Sequence, residues 1–429
     1  MNPRTDPSLG VSNLQPGPAA RAFSSAPAER QCAPARADEH SAGRANQTLE
    51  RREFRVLHIV PRLFGRDRGT VGGAERYALE LARQMANEVP TSLVCFGEKE
   101  AHEQSGQLQI HMLDRPWCVR GESHNPMSLR LWRDIRQAQV VHCHQQHILA
   151  SSFAAAVCRL SGRKVFVSDL GGGGWDISAY LSTDRWYHGH LHISEYSRSI
   201  SGHQNRSWAH VILGGVDTEK FSPDPGLEPG RRVLFVGRLM PHKGVDDLIR
   251  ALPPDVELEL IGQPYNEAYL ADLKTLALGK KVAFRHDCGD EAMVDAYRRA
   301  LCIVLPSVYR SMYGQESKVP ELLGQTLLEG MACGTPAICT DVASMPEVVR
   351  DQVTGFVVPP NNPGALGEKI QWLLTNPDRV RSMRGAARQH VLENFTWPAV
   401  VRRCLNVYAQ SLSGNTSFDG PSNRFAPTP

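Results

Sequence analysis

The sequence has no long apolar run, no paired cysteines and little net charge. No stretch reaches the roughly 18 consecutive apolar residues that a membrane-spanning helix needs, and the first residues lack the apolar segment of a secretion signal. The ten cysteines are scattered singly and form no CxxC pair, so neither a zinc ribbon nor a thioredoxin-type site is indicated. These absences predict a reducing compartment. We expect a cytoplasmic location, with peripheral contact at the inner face of the membrane left open.

The charge balance argues against one class of partner. A net charge of +3 over 429 residues gives no argument for binding nucleic acid. Hydrophobic residues make up 41% and charged residues 22% of the chain, which is ordinary for a soluble globular protein. Because a single core rarely grows to this length, we expect two domains.

The two ends of the chain differ in composition from the rest. Residues 1–52 are rich in Pro, Ala, Arg and Ser and contain few β-branched or aromatic residues. Such a segment buries too little apolar surface to offset its chain entropy, so we expect a disordered leader. An Arg- and Ser-rich leader also resembles a transit peptide, but its acidic residues argue against one. Residues 413–429 are expected to form a disordered tail for the same reason.

Between the ends, short apolar runs of strand length alternate with helix-like stretches. The first set of predicted strands comprises FRVLHIV, TSLVCFG, QVVHCH, KVFVSD, HLHIS and HVILGG, and the second RRVLFVGRL, VELELIG, KVAFR, CIVLPS, PAICTD and GFVVP. Such alternation predicts parallel sheets with crossover helices, and a Pro- and Gly-rich connection near 217–230 separates the sets. We predict an α/β fold with domains over 53–222 and 223–395. A final helix over 396–412 either covers the second domain or crosses back to the first.

One candidate site lies in the segment ELLGQTLLEGMACG, Glu321–Gly334. Gly324 and Gln325 stand at the start of a predicted helix, where free backbone N–H groups favour phosphate. Glu321 and Glu329, eight positions apart, can accept hydrogen bonds from two separate groups of sugar hydroxyls. The alternative is that Glu321 merely favours the helix start and that Glu329 is solvated.

A second candidate site lies in the segment VLFVGRLMPHKGVDDLI. A strand ends at Gly237, Arg238 follows, and Lys243 and Gly244 precede a helix. This order places two cations and a helix start at the carboxyl end of a strand, where open α/β sheets bind ligands. Arg and Lys both suit phosphate oxygens. The alternative is a tight turn with two surface cations.

A third candidate is the glycine-rich loop after the first strand, which contains Gly72 and Gly73. Glycines let a backbone approach a ligand closely, and the following helix start favours an anion. Their spacing differs from the GxGxxG dinucleotide fingerprint. An ordinary strand-to-helix turn is the alternative.

A fourth candidate follows the strand KVFV. Four consecutive glycines, residues 171–174, lie between Asp169 and Asp176. A glycine run suits a loop that shapes itself around a ligand, and the two carboxylates are candidate acid, base or hydroxyl-binding groups. A flexible connector is the alternative.

Two histidines stand on one face of a predicted strand. His142 and His144 alternate in VVHCH, so both side chains point to the same side of the sheet. No further metal ligand is evident at a suitable position, so we expect packing or orientation and no metal site.

A basic amphipathic helix is predicted over residues 128–138. It fits two explanations equally well. It rests on an anionic membrane surface, or it covers the sheet and leaves its arginines in solvent.

Taken together, these motifs resemble the retaining GT-B glycosyltransferases of the family-4 type over residues 54–410. The order GGAER, VVHCH, GGVDTEKFSP, VGRLMPHKG, VLPSVY, ELLGQTLLEGMACGTP, TDVASMPEVV and TGFVVPPNN matches that family's pattern. The resemblance implies two Rossmann-like, doubly wound domains that face a cleft, with a nucleotide sugar held mainly by the second. It also implies that no metal or other cofactor is needed.

The resemblance assigns roles to individual residues. Arg238 and Lys243 would neutralise the donor diphosphate, Glu321 would hold hydroxyls of the donor sugar, and Glu329 would hold the ribose hydroxyls. Further contacts with the sugar and the diphosphate would come from these glycines and helix-start residues: Gly72, Gly73, Gly237, Gly324, Gln325 and Thr326.

The sequence departs from the family's pattern in two places. Leu170 stands where members often carry a histidine, so either Asp169 or another group takes over that role, or the role is dispensed with. The segment SVYRSMYGQESKVPE before Glu321 is longer than usual. Glu316 and Lys318 within it either contact ligand or belong to a surface excursion.

The sequence thus predicts an enzyme that transfers a sugar from a nucleotide diphosphate to a glycan, a lipid-linked acceptor or another hydroxyl acceptor, with retention of configuration. Two alternatives keep the same fold. One is a nucleotide-sugar epimerase, and the other is a nucleotide-sugar-binding scaffold that has lost catalysis.

Overall fold

The structure is a computed structural model that describes residues 54–61, 73–122, 125–170 and 177–413. Of the residues for which disorder was expected, 1–52 and 414–429 lie outside this range, whereas Ser413 is the last residue of the final helix. Nine cysteines fall within the described residues, and all nine are free thiols. Among the described helices, none combines the length and the apolar character needed to cross a bilayer.

The first domain is built on an eight-stranded sheet. Its strands and those of a separate two-stranded ribbon, β5–β6, are β1 Val56–Ile59, β2 Thr91–Gly97, β3 Ala101–Ser105, β4 Leu108–Asp114, β5 Trp117–Cys118, β6 Pro126–Met127, β7 Val140–Cys143, β8 Lys164–Val167, β9 Gly189–His192 and β10 Ala209–Val211. The sheet order is β10-β9-β8-β7-β1-β2-β4-β3. Within this eight-stranded sheet, every described strand pair is parallel except β3–β4. Strand β3 was not predicted, because its sequence, AHEQS, is largely polar and its side chains are largely exposed at the sheet edge.

Four helices accompany this sheet: α1 Gly73–Ala86, α2 Leu131–Ile135, α3 Leu149–Leu160 and α4 Glu195–Ile200. Helix α1 buries Leu81 and Met85 on the sheet, as its helical periodicity predicts. The basic amphipathic pattern over 128–138 is helical only in α2, which buries Leu131 and Ile135 and leaves Trp132 39% exposed. The arrangement fits the sheet-covering explanation.

The second domain contains all six predicted strands: β11 Val233–Val236, β12 Leu258–Ile261, β13 Val282–Arg285, β14 Cys302–Leu305, β15 Ala337–Thr340 and β16 Gly355–Val358. Its helices are α5 Val245–Ala251, α6 Glu267–Leu276, α7 Asp290–Arg299, α8 Gln325–Ala332, α9 Met345–Val348, α10 Pro363–Thr375 and α11 Pro377–Asn394. The strands are all parallel in the order β13-β12-β11-β14-β15-β16. The order reverses between β11 and β14, where such sheets bind ligands. The predicted fold of two doubly wound α/β domains is confirmed.

The last helix, α12 Trp397–Ser413, follows the second domain but packs on α1 and β8 of the first. The ring of Trp397 lies 5.3 Å from that of Tyr77, and the ring of Tyr408 lies 4.8 Å from that of Phe166. Of the two arrangements that the sequence left open, the structure therefore has the one in which this helix crosses back.

Candidate functional site

Two predicted site residues form a largely buried ion pair. The Lys243 ammonium donates to Glu321 Oε2 at 2.6 Å, and both side chains are less than a fifth exposed. Burial raises the pKa of Glu321, but the charge and hydrogen bond of Lys243 and the N–H groups of Gly324 and Leu322 outweigh it and lower that pKa. The carboxylate is therefore ionised, and the two groups neutralise each other where no ligand is present.

The turn that carries Lys243 is held against the end of a neighbouring strand. After β11, Pro241–Lys243 form one 3₁₀ turn, and Gly244 has a φ of +63°. A Cβ atom on Gly244 would lie 2.1 Å from the carbonyl oxygen of Pro306, just after β14. Only glycine fits so close an approach at positive φ. The turn thus brings Lys243 to the point where the strand order reverses.

Arg238 adds a second cation at this edge. It is exposed, and its guanidinium carbon lies 5.7 Å from the ring centre of Tyr265. The charges of Lys243 and Arg238 both reach His242, whose pKa is lowered to about 4, first by burial and then by these two cations. His242 is therefore neutral, and the surplus positive charge of the site is that of Arg238. Sequence reasoning missed His242 and Tyr265, which carry no motif of their own.

The start of helix α8 lies beside the ion pair. Gly324 has a φ of +80° and precedes Gln325 and Thr326, whose backbone N–H groups stand in the first helical turn and lack intrahelical partners. The Gln325 side chain is turned away and donates to the Gly215 carbonyl at 3.1 Å. The backbone of this turn, rather than the Gln325 amide, is therefore presented to an anion.

Glu329 lies on the same helix and is 8% exposed. The Tyr297 hydroxyl donates to its Oε2 at 2.8 Å. Burial raises the pKa of Glu329, opposed by that hydrogen bond and by the charges of Arg76 and Lys220. The alternative of a solvated surface residue is therefore wrong for Glu329. Because Arg76 belongs to α1, the first domain faces this carboxylate.

The remaining predicted residues lie in the first domain or outside the described range. Gly73 is the first residue of α1, whereas Gly72, the glycine run at 171–174 and Asp176 lie outside the described residues. Asp169 is half-buried just beyond β8. Leu170 is 8% exposed and belongs to the hydrophobic core. Leu170 thus makes apolar contacts at the position where the resemblance led us to expect a histidine.

Contacts between the domains occur next to Glu321 and were not predicted. The Ser194 hydroxyl donates to the Leu322 carbonyl at 2.9 Å. The Glu347 carboxylate accepts the N–H groups of Glu195 and Tyr196, both at 2.7 Å. The only sequence signals were the Ser194 cap of α4 and the acidic residue within TDVASMPEVV.

The longer segment before Glu321 folds back on itself. Arg310 and Glu316 form an antiparallel bridge, and the Ser317 N–H donates to the Tyr309 carbonyl at 2.7 Å. The side chains of Glu316 and Lys318 are exposed. This geometry fits the surface excursion better than direct ligand contact.

The histidines of VVHCH have a third neighbour that the sequence did not reveal, His58 on β1. One ring nitrogen of each lies within 4.8 Å of the others. Ser168 donates to the Leu191 carbonyl and so accepts from His142 Nε2 at 2.9 Å, while the Tyr408 hydroxyl lies 2.8 Å from His142 Nδ1. With both of its nitrogens occupied, His142 fits the packing role that we expected.

Two family models match consecutive parts of the chain. Residues 71–220 match Glycosyltransferase Family 4, and residues 217–390 match Glycosyl transferases group 1. The first match covers the first sheet except β1, and the second match includes the ion pair and α8. Every described residue of the candidate site lies within one of these matches.

Curated relatives match over about half of the chain. A D-inositol 3-phosphate glycosyltransferase of Catenulispora acidiphila is 30% identical over 230 residues, 48% of this chain and 52% of the relative. A GDP-mannose-dependent phosphatidylinositol monomannoside mannosyltransferase of Mycolicibacterium smegmatis is 34% identical over 224 residues, 48% of this chain and 58% of the relative. The chain thus spans little more than half the length of these relatives.

Solved structures resemble most of the chain. A sucrose-phosphate synthase from Thermosynechococcus elongatus has a TM-score of 0.65 at 19% identity, over 84% of this chain and all of that one. HepE from Anabaena in complex with UDP and glucose has a TM-score of 0.62 at 16% identity, over the same shares. At these identities the likeness shows the fold alone, and that fold is GT-B.

Proposed function

Because the chain has the GT-B fold and carries both of these glycosyltransferase domains, we propose that it transfers a sugar from a nucleotide diphosphate to a hydroxyl acceptor with retention of configuration. The observation that carries the proposal is the buried Lys243–Glu321 pair, with Arg238 beside it, at the reversal of the second sheet. A GDP-mannose-dependent relative and a structural neighbour in complex with UDP and glucose support a nucleotide-sugar donor.

The charges of the site suit departure of a diphosphate. When the bond between the anomeric carbon and oxygen breaks, negative charge grows on the leaving phosphate and positive charge on the sugar. Once the donor is bound, Arg238, Lys243 and the N–H groups at the start of α8 would stabilise that leaving group without further rearrangement. Transfer would then need no metal ion, as the sequence led us to expect.

The ion pair also determines which contacts of Lys243 and Glu321 a bound donor must replace. We propose that the donor phosphate takes Lys243 away from Glu321 and that sugar hydroxyls replace it as hydrogen-bond donors to that carboxylate. A buried carboxylate needs such partners at every stage, because leaving it unpaired is costly. The site would thereby favour donors that bring phosphate and hydroxyls together.

The first domain would supply the other side of the site. Glu329 would accept the ribose hydroxyls, facing Arg76 across the cleft. Gly72 and Gly73 would approach the diphosphate, and Asp169 would orient the reacting sugar or the acceptor in place of the missing histidine. Loops of this domain would choose a glycan or lipid-linked acceptor.

The first test is a thermal-shift panel of UDP-, GDP-, ADP- and dTDP-sugars on wild type, Lys243→Ala and Lys274→Ala. Lys274 is an exposed residue of α6 and serves as the matched control. A donor at about 100 times its dissociation constant should stabilise the wild type by roughly 2.7 kcal/mol. We expect one class of donor to shift wild type and Lys274→Ala equally and to leave Lys243→Ala unshifted.

Turnover separates transfer from the alternatives. Incubation of the selected donor with a mixed glycan and lipid acceptor extract should release the nucleotide diphosphate and form a glycosylated product. Formation of an epimer would establish the epimerase alternative. Donor binding without any product would support the alternative of a scaffold that has lost catalysis. Failure of all four donor classes to bind would overturn the proposed donor site.

A further inference from the structure

Three histidines meet near the β10 edge of the first sheet, and none of them belongs to the proposed donor site. His190 and His192 alternate along β9 and so project from the same face. His203 follows helix α4. One ring nitrogen of each lies within 4.8 Å of the other two, and all three residues are at most 5% exposed.

The spacing of their nitrogens fits a tetrahedral metal ion. His192 Nε2 and His203 Nδ1 are 3.2 Å apart. Zinc–nitrogen bonds of 2.0–2.1 Å in a tetrahedron place two ligand nitrogens roughly 3.3 Å apart. A His190 nitrogen lies within 4.8 Å of both, and the His190 ring would have to turn to bring it to the same spacing.

A carboxylate stands behind this group. His203 Nε2, the nitrogen that faces away from His192, lies 3.4 Å from Asp184 Oδ2. The Gln146 amide donates to the other oxygen of Asp184 at 2.8 Å and so holds the carboxylate in place. Metal-binding histidines commonly donate their second N–H to such a carboxylate, which fixes the tautomer that binds the metal.

The other two groups of this kind in the described residues lack these features. His142, in the group with His58 and His144, has both nitrogens bonded to hydroxyls. In the group of Glu100, His102 and His111, the carboxylate is paired with Arg130 and two members are exposed. Only the group on β9 combines burial, matching spacing and a supporting carboxylate.

A cavity lies next to the group. This cavity of about 350 Å³ is lined by Asp184, Tyr187, His188 and Trp208, together with two arginines. Asp184 thus faces the cavity as well as His203. An ion reaching this carboxylate is one residue away from the three imidazoles.

We propose that His190, His192 and His203 bind one divalent transition-metal ion, best fitted by zinc, with Asp184 as the positioning carboxylate. The ion would join β9 to the loop after α4. The N–H groups at the start of α4 bind Glu347 of the second domain. Bound metal would therefore steady the helix through which the first domain contacts the second, and it would take no part in sugar transfer.

The test uses the full chain, purified without a polyhistidine tag and stripped with a chelator. Zinc is titrated calorimetrically into wild type, His203→Gln, Asp184→Asn and His111→Gln, the last being the control from the exposed group. We expect one zinc per wild-type chain and a rise in Tm of roughly 5 °C at saturation. His203→Gln should lose at least 100-fold in affinity, Asp184→Asn about 10-fold, and His111→Gln nothing.

Cobalt gives a readout that does not depend on the variants folding. Cobalt(II) bound to the wild type should show the intense visible bands of tetrahedral nitrogen coordination, and zinc should displace it. Absence of those bands would overturn the proposal. So would zinc binding that persists unchanged in a folded His203→Gln protein or disappears in His111→Gln.

Discussion

The two domains share one architecture but keep their polar side chains in different places. In the second, Arg238, Lys243 and Glu321 stand at the carboxyl edge of the sheet, where the strand order reverses. In the first, histidines such as His58 and His142 lie on the strands themselves and are fully buried. The second domain therefore offers charge to a ligand, whereas the first holds neutral imidazoles in its interior.

This difference shows that a doubly wound sheet fixes where ligands are expected but leaves the chemistry of its interior open. The edge of a parallel sheet exposes loops and helix starts, so charges placed there remain available. An interior position tolerates a histidine only as a neutral, hydrogen-bonded group. Four predictions test this contrast, beginning with the largest effect.

Acid should unfold the first domain before the second. Burial lowers the pKa of His58 to about 3, while the unfolded chain titrates near 6.5. Between these pH values the unfolded state binds more protons than the folded state, so the free energy of unfolding decreases as the pH is lowered. For His58 alone the decrease is about 2 kcal/mol at pH 5. Burial also lowers the pKa values of His142 and His144, which adds to this loss.

Hydrogen exchange of the chelator-treated full chain at pH 7, 6 and 5 measures this prediction. Peptides from β1, β7 and β9 should lose protection before those from β11 and β14. His102→Gln, which alters an exposed histidine, should leave the profile unchanged. Equal loss in both domains would contradict the contrast.

Lys243→Met should reduce turnover by about 1,000-fold, because a leaving-group cation is lost. It should also lower the free energy of unfolding by about 3 kcal/mol, because Glu321 remains buried without its partner. Steady-state kinetics and urea unfolding measure the two effects.

The double variant Lys243→Met/Glu321→Gln separates the contribution of the ion pair to turnover from its contribution to stability. Removing both charges should restore most of the stability but none of the turnover. Recovery of turnover as well would contradict a direct role for Lys243.

Asp169→Asn should reduce turnover by about 100-fold and leave the donor-induced Tm shift unchanged. The reason is that Asp169 belongs to the first domain, while the proposed donor contacts are mainly in the second. Kinetics and thermal shift are compared with Asp255→Asn, an exposed control. Loss of the donor shift in Asp169→Asn would show that the domains do not divide these tasks.

Glu347→Gln should lower the free energy of unfolding by about 1 kcal/mol. The two N–H groups of Glu195 and Tyr196 donate to the two different carboxylate oxygens, and a Gln amide keeps only one oxygen, so one of these hydrogen bonds is lost. Urea unfolding of this variant and of Glu368→Gln, an exposed control on α10, gives the comparison. An equal, negligible effect in both would mean that the contact does not hold the domains together.

The fold was largely predictable where strands are short apolar runs. All six strands of the second sheet were found from their sequence, because each is a short apolar run between helical stretches. In the first sheet, β3 and β4 were missed. The polar residues of β3 pair with β4 at an edge, and such pairing leaves little periodic signal in the sequence.

The candidate site was predictable in its residues but not in its contacts. Sequence motifs pointed to Lys243 and Glu321, yet their mutual ion pair depends on two loops that lie 78 positions apart. The same holds for Tyr297, which hydrogen-bonds Glu329, and for Glu347. Nothing in the sequence around Tyr297 or Glu347 indicates which residues they contact.

The sequence by itself determined the alternation of elements, the two-domain organisation and the positions of the cations and carboxylates. These features are local, because they depend on periodicity and on what stands at the end of a strand. Only the tertiary structure decided that α12 returns to the first domain, that Leu170 is core and that His190, His192 and His203 meet. Those outcomes depend on which surfaces bury each other, and residues far apart in the chain settle that together.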